Sequence, residues 1–309
     1  MRLAVVGLGI QGRKRIAVAE KDVVATVDPI VPDAQYKDLH EVPLDCFDAA
    51  LVCTPDHVKL DLLRYLLSHG KHVLVEKPLL ASSEEELLQL GEVARSKGAA
   101  CYTAYNHRFE PHIARLKDVL DAQALGRLYF ARIFYGNGTA LEIKRSPWRD
   151  QGVGVLADLG SHLLDMVLFL LGPRDPKFEV WAFNRFENRT SDHVVFGSQI
   201  QPVLVLEATV VCWRNTFTLD IFGESGSAHI ECLCKWGPSI FRIRTRVFPS
   251  GRPHEEVQTI EAADPTWALE YEHFKEACQM GSTNIENDLW INSAIRSIAQ
   301  SVGEGGLQD

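Results

Sequence analysis

Four aliphatic residues, Leu3-Ala4-Val5-Val6, run without a break into Gly7-Leu8-Gly9-Ile10-Gln11-Gly12, and residues 13–19 can continue as a helix. Few folds accept this order. A strand that turns at once into a helix needs one position free of a side chain at the turn. It needs a second where the backbone is approached closely, and a third where helix lies against strand. Gly7, Gly9 and Gly12 occupy those three places. The first amides of such a helix favour a bound pyrophosphate. A second apolar run, 23–27, ends in Asp28, an acid placed to accept ribose hydroxyls at the tip of the second strand.

The alternation continues. Residues 49–53 read as a third strand ending at Thr54-Pro55-Asp56-His57, and 57–69 show the apolar spacing of an amphipathic helix closed by Gly70. Residues 73–75 form another strand, followed by Glu76-Lys77-Pro78. Ser82-Ser83-Glu84-Glu85-Glu86 has the composition of a helix start, with hydroxyls to cap and acids to complement the dipole, and 99–104 make a further strand. Strands alternating with helices predict a doubly wound parallel sheet over residues 1–105. Ligands of such sheets sit beyond the carboxyl ends of the strands, where Gly7, Asp28, Thr54 and Lys77 all fall. Lys77, just beyond a buried strand and stiffened by Pro78, reads as a positioned charge.

A chain of 309 residues with 46% hydrophobic content is expected to form two domains. No apolar run approaches the roughly 20 residues that span a bilayer, and the apolar start leads into glycines rather than a cleavage site. The seven cysteines are scattered without a zinc-like CxxC pair and read as buried thiols of a reducing cytoplasm. A net charge of −9 argues against nucleic-acid and acidic-membrane partners. No spaced cluster of metal ligands appears.

Beyond residue 105 the pattern changes. Segments 127–135, 178–187, 194–200, 203–213, 216–222 and 227–234 are strand-like with short turns, which favours a large, mostly antiparallel open sheet in an α+β domain over 106–309. Residues 267–280 and 288–302 read as helices. Residues 158–171 form a helix that is apolar except at Asp158, Ser161, His162 and Asp165. Positions 158, 162 and 165 follow the i, i+4, i+7 rule and share one face of an otherwise buried helix. Such a stripe serves either a polar cleft or an internal Asp–His contact, with Asp165 the more structural member.

These motifs together resemble the family of glucose–fructose oxidoreductase, inositol dehydrogenase and the rhizopine-catabolism protein MocA. The carrying residues are the glycine fingerprint, Thr54 to His57, Gly70 to Pro78, Tyr105-Asn106-His107-Arg108-Phe109 with Pro111, and Gly152 to His162 with Asp165. Phe222-Gly223-Glu224-Ser225-Gly226 and residues 270–281 resemble later parts of the family pattern. Lys59 departs from it, since members often carry histidine there, and Val153 interrupts a glycine triplet. Both departures bear on how the nicotinamide end is held.

The resemblance implies an NAD(P)-dependent oxidoreductase acting on a secondary alcohol of a sugar, cyclitol or activated sugar. It implies cofactor contacts from Gly7, Gly9, Ile10, Gln11, Gly12, Asp28, Thr54, Pro55, His57, Glu76 and Lys77. It also implies a catalytic trio of Lys77, Asp158 and His162. Residue chemistry agrees: histidine titrates near working pH and suits a general base, while a fixed lysine stabilises a developing alkoxide. Asp158 can bind a neighbouring hydroxyl and hold its partners. Trp148 can stack on a sugar face and, with Arg149, line the pocket; Lys144 and Arg145 read as pocket or surface charges. Trp181, Trp213, Trp236 and Trp267 read as core or sheet residues, and Arg108 as a cleft residue or a tie between domains. A carboxylate at 28 followed by Pro29 favours NAD; Arg13, Lys14 and Arg15, read as a solvated helix face, leave NADP open. The resemblance further implies a homodimer or homotetramer built through the second sheet, and domains that close over one cleft. A non-catalytic dinucleotide-binding regulator and a glycosidase using NAD transiently stand as alternatives.

Overall fold

Alternate residues of five short strands point to opposite sides of one parallel sheet, and each side is covered by helices. The computed structural model describes residues 1–146, 148–173 and 177–303. Its first strands and helices are β1 (Leu3–Val6), α1 (Ile10–Ala19), β2 (Val23–Val27), β3 (Ala49–Val52), α2 (Asp56–Ser68), β4 (His72–Glu76), α3 (Glu84–Lys97) and β5 (Cys101–Ala104). Then come α4 (Pro111–Asp121), β6 (Leu128–Gly136), α5 (Ala140–Arg145), α6 (Ser161–Leu171), β7 (Glu179–Asn184), β8 (His193–Ser198) and β9 (Val203–Thr209). The last are β10 (Thr216–Gly223), β11 (Gly226–Glu231), β12 (Ser239–Thr245), β13 (His254–Ile260), α7 (Thr266–Met280) and α8 (Ile285–Ser301).

Two compact units result. The first joins Met1–Asn106 to Trp267–Asn292, and the second holds His107–Thr266 with the rest of α8. In the first, the strand order is β2-β1-β3-β4-β5, every pair parallel. The order reverses between β1 and β3, the switch point beyond whose carboxyl ends ligands of doubly wound sheets bind. One face buries Ala4, Val6, Val52, Val73 and Val75 under α2 and α3. The other buries Leu3, Val5, Leu51 and Leu74 against α1 residues and against Tyr271, Phe274 and Ala277 of α7. An uninterrupted second domain over 106–309 does not anticipate this return. The second face needs an apolar cover, and α7 supplies part of it from over 160 residues beyond β5.

Local signals set the boundaries. Ser83 caps α3 by accepting from the Glu86 amide, and Gly98 ends it in the left-handed conformation at φ 61°. Gly7 turns at φ 91°, where a Cβ would lie 2.5 Å from the Cys53 carbonyl oxygen, so β1 and β3 can be this close only with glycine there. Gly12 touches the Gly7 carbonyl so nearly that α1 could not pack with any side chain at that position.

The second unit is an eight-stranded sheet in the order β13-β12-β11-β10-β6-β9-β8-β7, antiparallel except for β6 beside β9. The expected fold class is therefore the observed one. Strands β12 and β13 went unread in the sequence; β13 is an exposed edge strand with no buried face to impose an alternating pattern. One side of the sheet, with Ile133, Phe217, Leu219, Ile230 and Phe241 buried, packs against α4 and α6. Among the described residues no helix is long and apolar enough to cross a membrane. Cysteine burial is mixed: all seven are free, Cys101 and Cys234 are buried and Cys46 is exposed. Strand β11 ends at Glu231, so Cys232 lies just beyond it and Cys234 in a short 3-10 turn.

Phe274 is fully buried on the α7 side of the first sheet. Phe274→Ala is expected to lower the unfolding free energy by about 3–5 kcal/mol, the usual cost of emptying a packed aromatic site, measurable by urea denaturation.

Candidate active site

In the first unit the predicted cofactor residues gather at the carboxyl ends of β1 to β4. Helix α1 starts at Ile10 with Gly9 as its N-cap, and no side chain caps its first amides. Among the described residues, chain neighbours aside, nothing lies within 4 Å of where a Gly9 Cβ would stand, and Ile10 is 77% exposed beside it. An open approach to uncapped amides, flanked by an apolar side chain, fits a dinucleotide. Thr54 Oγ1, buried and without a hydrogen-bond partner among the described residues, adds an orphaned polar atom at the same sheet end. His57 is exposed in the first turn of α2, and Pro55 is its N-cap.

Asp28 braces this edge. It accepts from the Leu8 amide at 2.8 Å and from the Ile30 and Val31 amides at 2.9 Å. Burial pushes its carboxyl up, and the three amides outweigh that, holding it below the usual aspartate range. The turn that presents the glycines is thus tied to the acid expected to meet the ribose.

Two buried cations fasten the lysine segment. Arg15 is 2% exposed; its Nε donates to Glu76 Oε1 at 2.8 Å and its Nη2 to Glu270 Oε2 at 2.7 Å. Burial opposes its charge, but Glu76 and Glu270 more than compensate, so its pKa rises. Reading 13–15 as a solvated face fails at Arg15, which is internal, and holds for Arg13, paired with the exposed Asp33, and for Lys14, exposed over the Trp267 ring at 5.0 Å. Lys59, equally buried, donates to the main-chain oxygens of Glu76 at 2.7 Å and Pro78 at 2.8 Å and pairs with Asp56 at 2.6 Å. The carbonyls on both sides of Lys77 are therefore held by one ammonium.

In the second unit the chain enters α6 through a π-helical turn at Leu156–Gly160, which carries Asp158. Insertions of this kind re-aim side chains and are frequent at functional sites. Asp158 pairs with Arg149 at 3.1 Å, a partner suggested in sequence only by its position before the glycine segment. Asp165 is fully internal, and Arg108 grips it with Nε 2.9 and 3.0 Å from the two oxygens. Burial raises the Asp165 carboxyl and Arg108 opposes it. The pair is structural, and it places Arg108 within this unit. His162 is 7% exposed, stacked on His107 with ring centroids 4.1 Å apart and edge-on to Tyr135 at 5.8 Å. Burial and the nearby Asp158 charge push the Tyr135 hydroxyl up, so it stays protonated.

Trp148 is 45% exposed, and Lys144 and Arg145 are exposed on α5. Trp181 is a sheet residue of β7, though exposed, Trp213 is exposed outside the strands, Trp236 lies 5.6 Å from Tyr135, and Trp267 receives Lys14 and Arg15 on its ring. Asn137 and Asn188, in glycosylation-like triplets, are both buried. No group of three metal-ligating side chains occurs among the described residues.

Residues 1–105 match the family model described as an oxidoreductase family with an NAD-binding Rossmann fold, and residues 113–229 match the GFO/IDH/MocA C-terminal domain. The chain belongs to the Gfo/Idh/MocA oxidoreductase family. Among its relatives, the Bacillus subtilis NAD-dependent scyllo-inositol 2-dehydrogenase is 29% identical over 94% of this chain and 89% of its own length. Glucose-6-phosphate 3-dehydrogenase of the same organism is 29% identical over 41% of this chain. The matched part spans only 37% of that protein, and 32% of the levoglucosan dehydrogenase of Pseudarthrobacter phenanthrenivorans, which is 31% identical there. A solved levoglucosan dehydrogenase in complex with NADH superimposes with a TM-score of 0.84 at 18% identity, covering all of both chains. An Azotobacter vinelandii inositol dehydrogenase homologue with NADH and myo-inositol gives 0.79 at 17% identity, over 99% of this chain and 96% of its own.

Against the Gfo/Idh/MocA pattern, Lys59 gains a physical account: the long side chain reaches two carbonyls that otherwise lack this donor. Lys59→Met is expected to lower the unfolding free energy by about 1–3 kcal/mol through orphaned carbonyls, an effect absent if urea midpoints coincide. Because the folded Asp28 carboxyl lies below its unfolded value, its contribution is present above that value and fades as pH falls through the folded one. Asp28→Asn should accordingly be less stable than wild type at neutral pH, with the gap in melting temperature closing below about pH 4.

Proposed function

We propose that this chain is an NAD-dependent dehydrogenase that moves a hydride between nicotinamide and a secondary alcohol of a sugar, cyclitol or activated sugar. The observation that carries the reading is the polar stripe on the otherwise buried α6 and its π-helical approach. There an imidazole and a carboxylate sit together, the carboxylate already paired with Arg149. A buried helix keeps such groups only where they are satisfied or put to use. The relatives' names, dehydrogenases of inositols, levoglucosan and glucose 6-phosphate, support the substrate class.

Nicotinamide, when bound, takes up the hydride. The His162 imidazole removes the hydroxyl proton as general base, and Lys77 stabilises the developing alkoxide from a backbone fixed on both sides. Asp158 and Arg149 bind neighbouring hydroxyls, and Trp148 offers its indole to the sugar face. On this reading Lys77, Asp158 and His162 act on one substrate. Asp28, an amide-braced carboxylate followed by Pro29, repels a 2′-phosphate and selects NAD. The same reading includes a homodimer or homotetramer formed through the second sheet, and a cytoplasmic location.

A panel of sugars, inositols, uronates and nucleotide sugars, assayed with NAD and NADP, tests the proposal. Turnover with NAD is expected for at least one class. Lys77→Met and His162→Ala should each lower kcat by roughly 10²–10⁴-fold while NADH binding, read by fluorescence, survives. Wild-type turnover in either variant would exclude the assigned roles. Sugar release from aryl glycosides without net NADH would instead identify a glycosidase.

A further inference from the structure

His107 has no part in the chemistry described above, yet its ring is stacked on that of His162. It is 2% exposed, and its ring lies 19° from parallel to that of His162 at 4.1 Å between centroids. On its other side the Lys235 Nζ stands 3.0 Å from His107 Nε2. An ammonium group donates hydrogen bonds and accepts none, so His107 Nε2 must be the bare nitrogen and the ring neutral, with its proton on Nδ1. Lys235 is itself set by the Trp236 ring, 4.8 Å from its Nζ. Tyr135 and Trp236 line the same cluster at 5.3 and 6.5 Å from the His107 ring.

We infer that His107 and Lys235 form a positioning pair that holds the His162 ring in its plane and keeps the second imidazole of the stack out of titration. The inference rests on the reading of His162 as the base. Two stacked imidazoles of ordinary affinity would share one proton, and a base that shares its proton is a poorer acceptor. Binding Nε2 to a permanent cation removes that competition, since protonating His107 would break the Lys235 bond and place two cations together. Tyr135 stays protonated, the Asp158 carboxylate is paired with Arg149, and Glu110, one turn beyond His107, accepts from the Cys234 amide at 3.2 Å. The Ser227–His229–Asp220 chain on the same sheet, 2.8 and 2.7 Å long, is a separate network that also bonds Arg132 and Arg244.

Imidazole-nitrogen NMR of the full chain tests the pair without relying on turnover. In wild type, His107 is expected to keep the neutral Nδ1–H form from about pH 5.5 to about pH 8, and Lys235→Met should bring it into titration in that range. Kinetically, His107→Ala should lower kcat/KM for the alcohol about tenfold with NADH affinity unchanged, and His107→Phe, which keeps a stacked ring, should recover most of the loss. A wild-type His107 that titrates like an ordinary histidine, or carries its proton on Nε2, overturns the inference. So does a His107→Phe variant no better than His107→Ala. Wild-type inactivity across the whole alcohol panel would refute the dehydrogenase reading instead, leaving the NMR result to stand or fall alone.

Discussion

Everything at the cofactor end of the first unit depends on how two buried cations divide the work around Glu76. Arg15 takes its carboxylate, together with that of Glu270, and Lys59 takes its carbonyl, together with that of Pro78. A charge removed from water is costly unless paired and hydrogen-bonded on every side, so the arrangement persists only as a set. Removing one partner of the Arg15–Glu76–Glu270 cluster typically costs about 3–5 kcal/mol, because the remaining charge stays buried. The same set welds α1, α2, β4 and α7 into one frame. The glycine turn and the lysine segment are consequently parts of a single rigid assembly.

The second unit solves a related problem differently. Helix α6 is buried nearly all round, and each polar group on its stripe has a partner from elsewhere in the unit: Arg149 for Asp158, Arg108 for Asp165, and the His107 ring for His162. Asp158 and Asp165 look alike in sequence but differ in surroundings. The buried acid is locked by a guanidinium gripping both oxygens, whereas Asp158, paired with Arg149, stays about one-third exposed. Environment separates the two carboxylates, one sealed inside the unit and the other reaching solvent.

Much of this was legible in the residues. The glycine spacing, Asp28, the strand–helix alternation and the ends of α3 follow local rules of backbone conformation and capping, and the structure obeys them almost residue for residue. The stripe on α6 was also visible, since helical periodicity survives burial. Less was visible where partners come from far along the chain. Arg15 reads as one of three surface cations, and the two carboxylates that pair with it inside the unit, Glu76 and Glu270, lie 61 and 255 residues away. Lys59 appears in sequence merely as a departure from histidine. His107 stands in the sequence only as one residue of the Tyr105–Phe109 motif and Lys235 gives no signal, because stacking of one imidazole on another has no periodicity.

The sequence by itself determined the parallel sheet, the turn at its switch point and the residue types at the strand ends, since these depend on interactions within a few tens of residues. Only the tertiary structure decided that α7 covers the first sheet, that the lysine segment is clamped by Lys59, and that the His162 ring stacks on that of His107. Those outcomes rest on burial and charge pairing between distant segments, which a linear pattern does not encode.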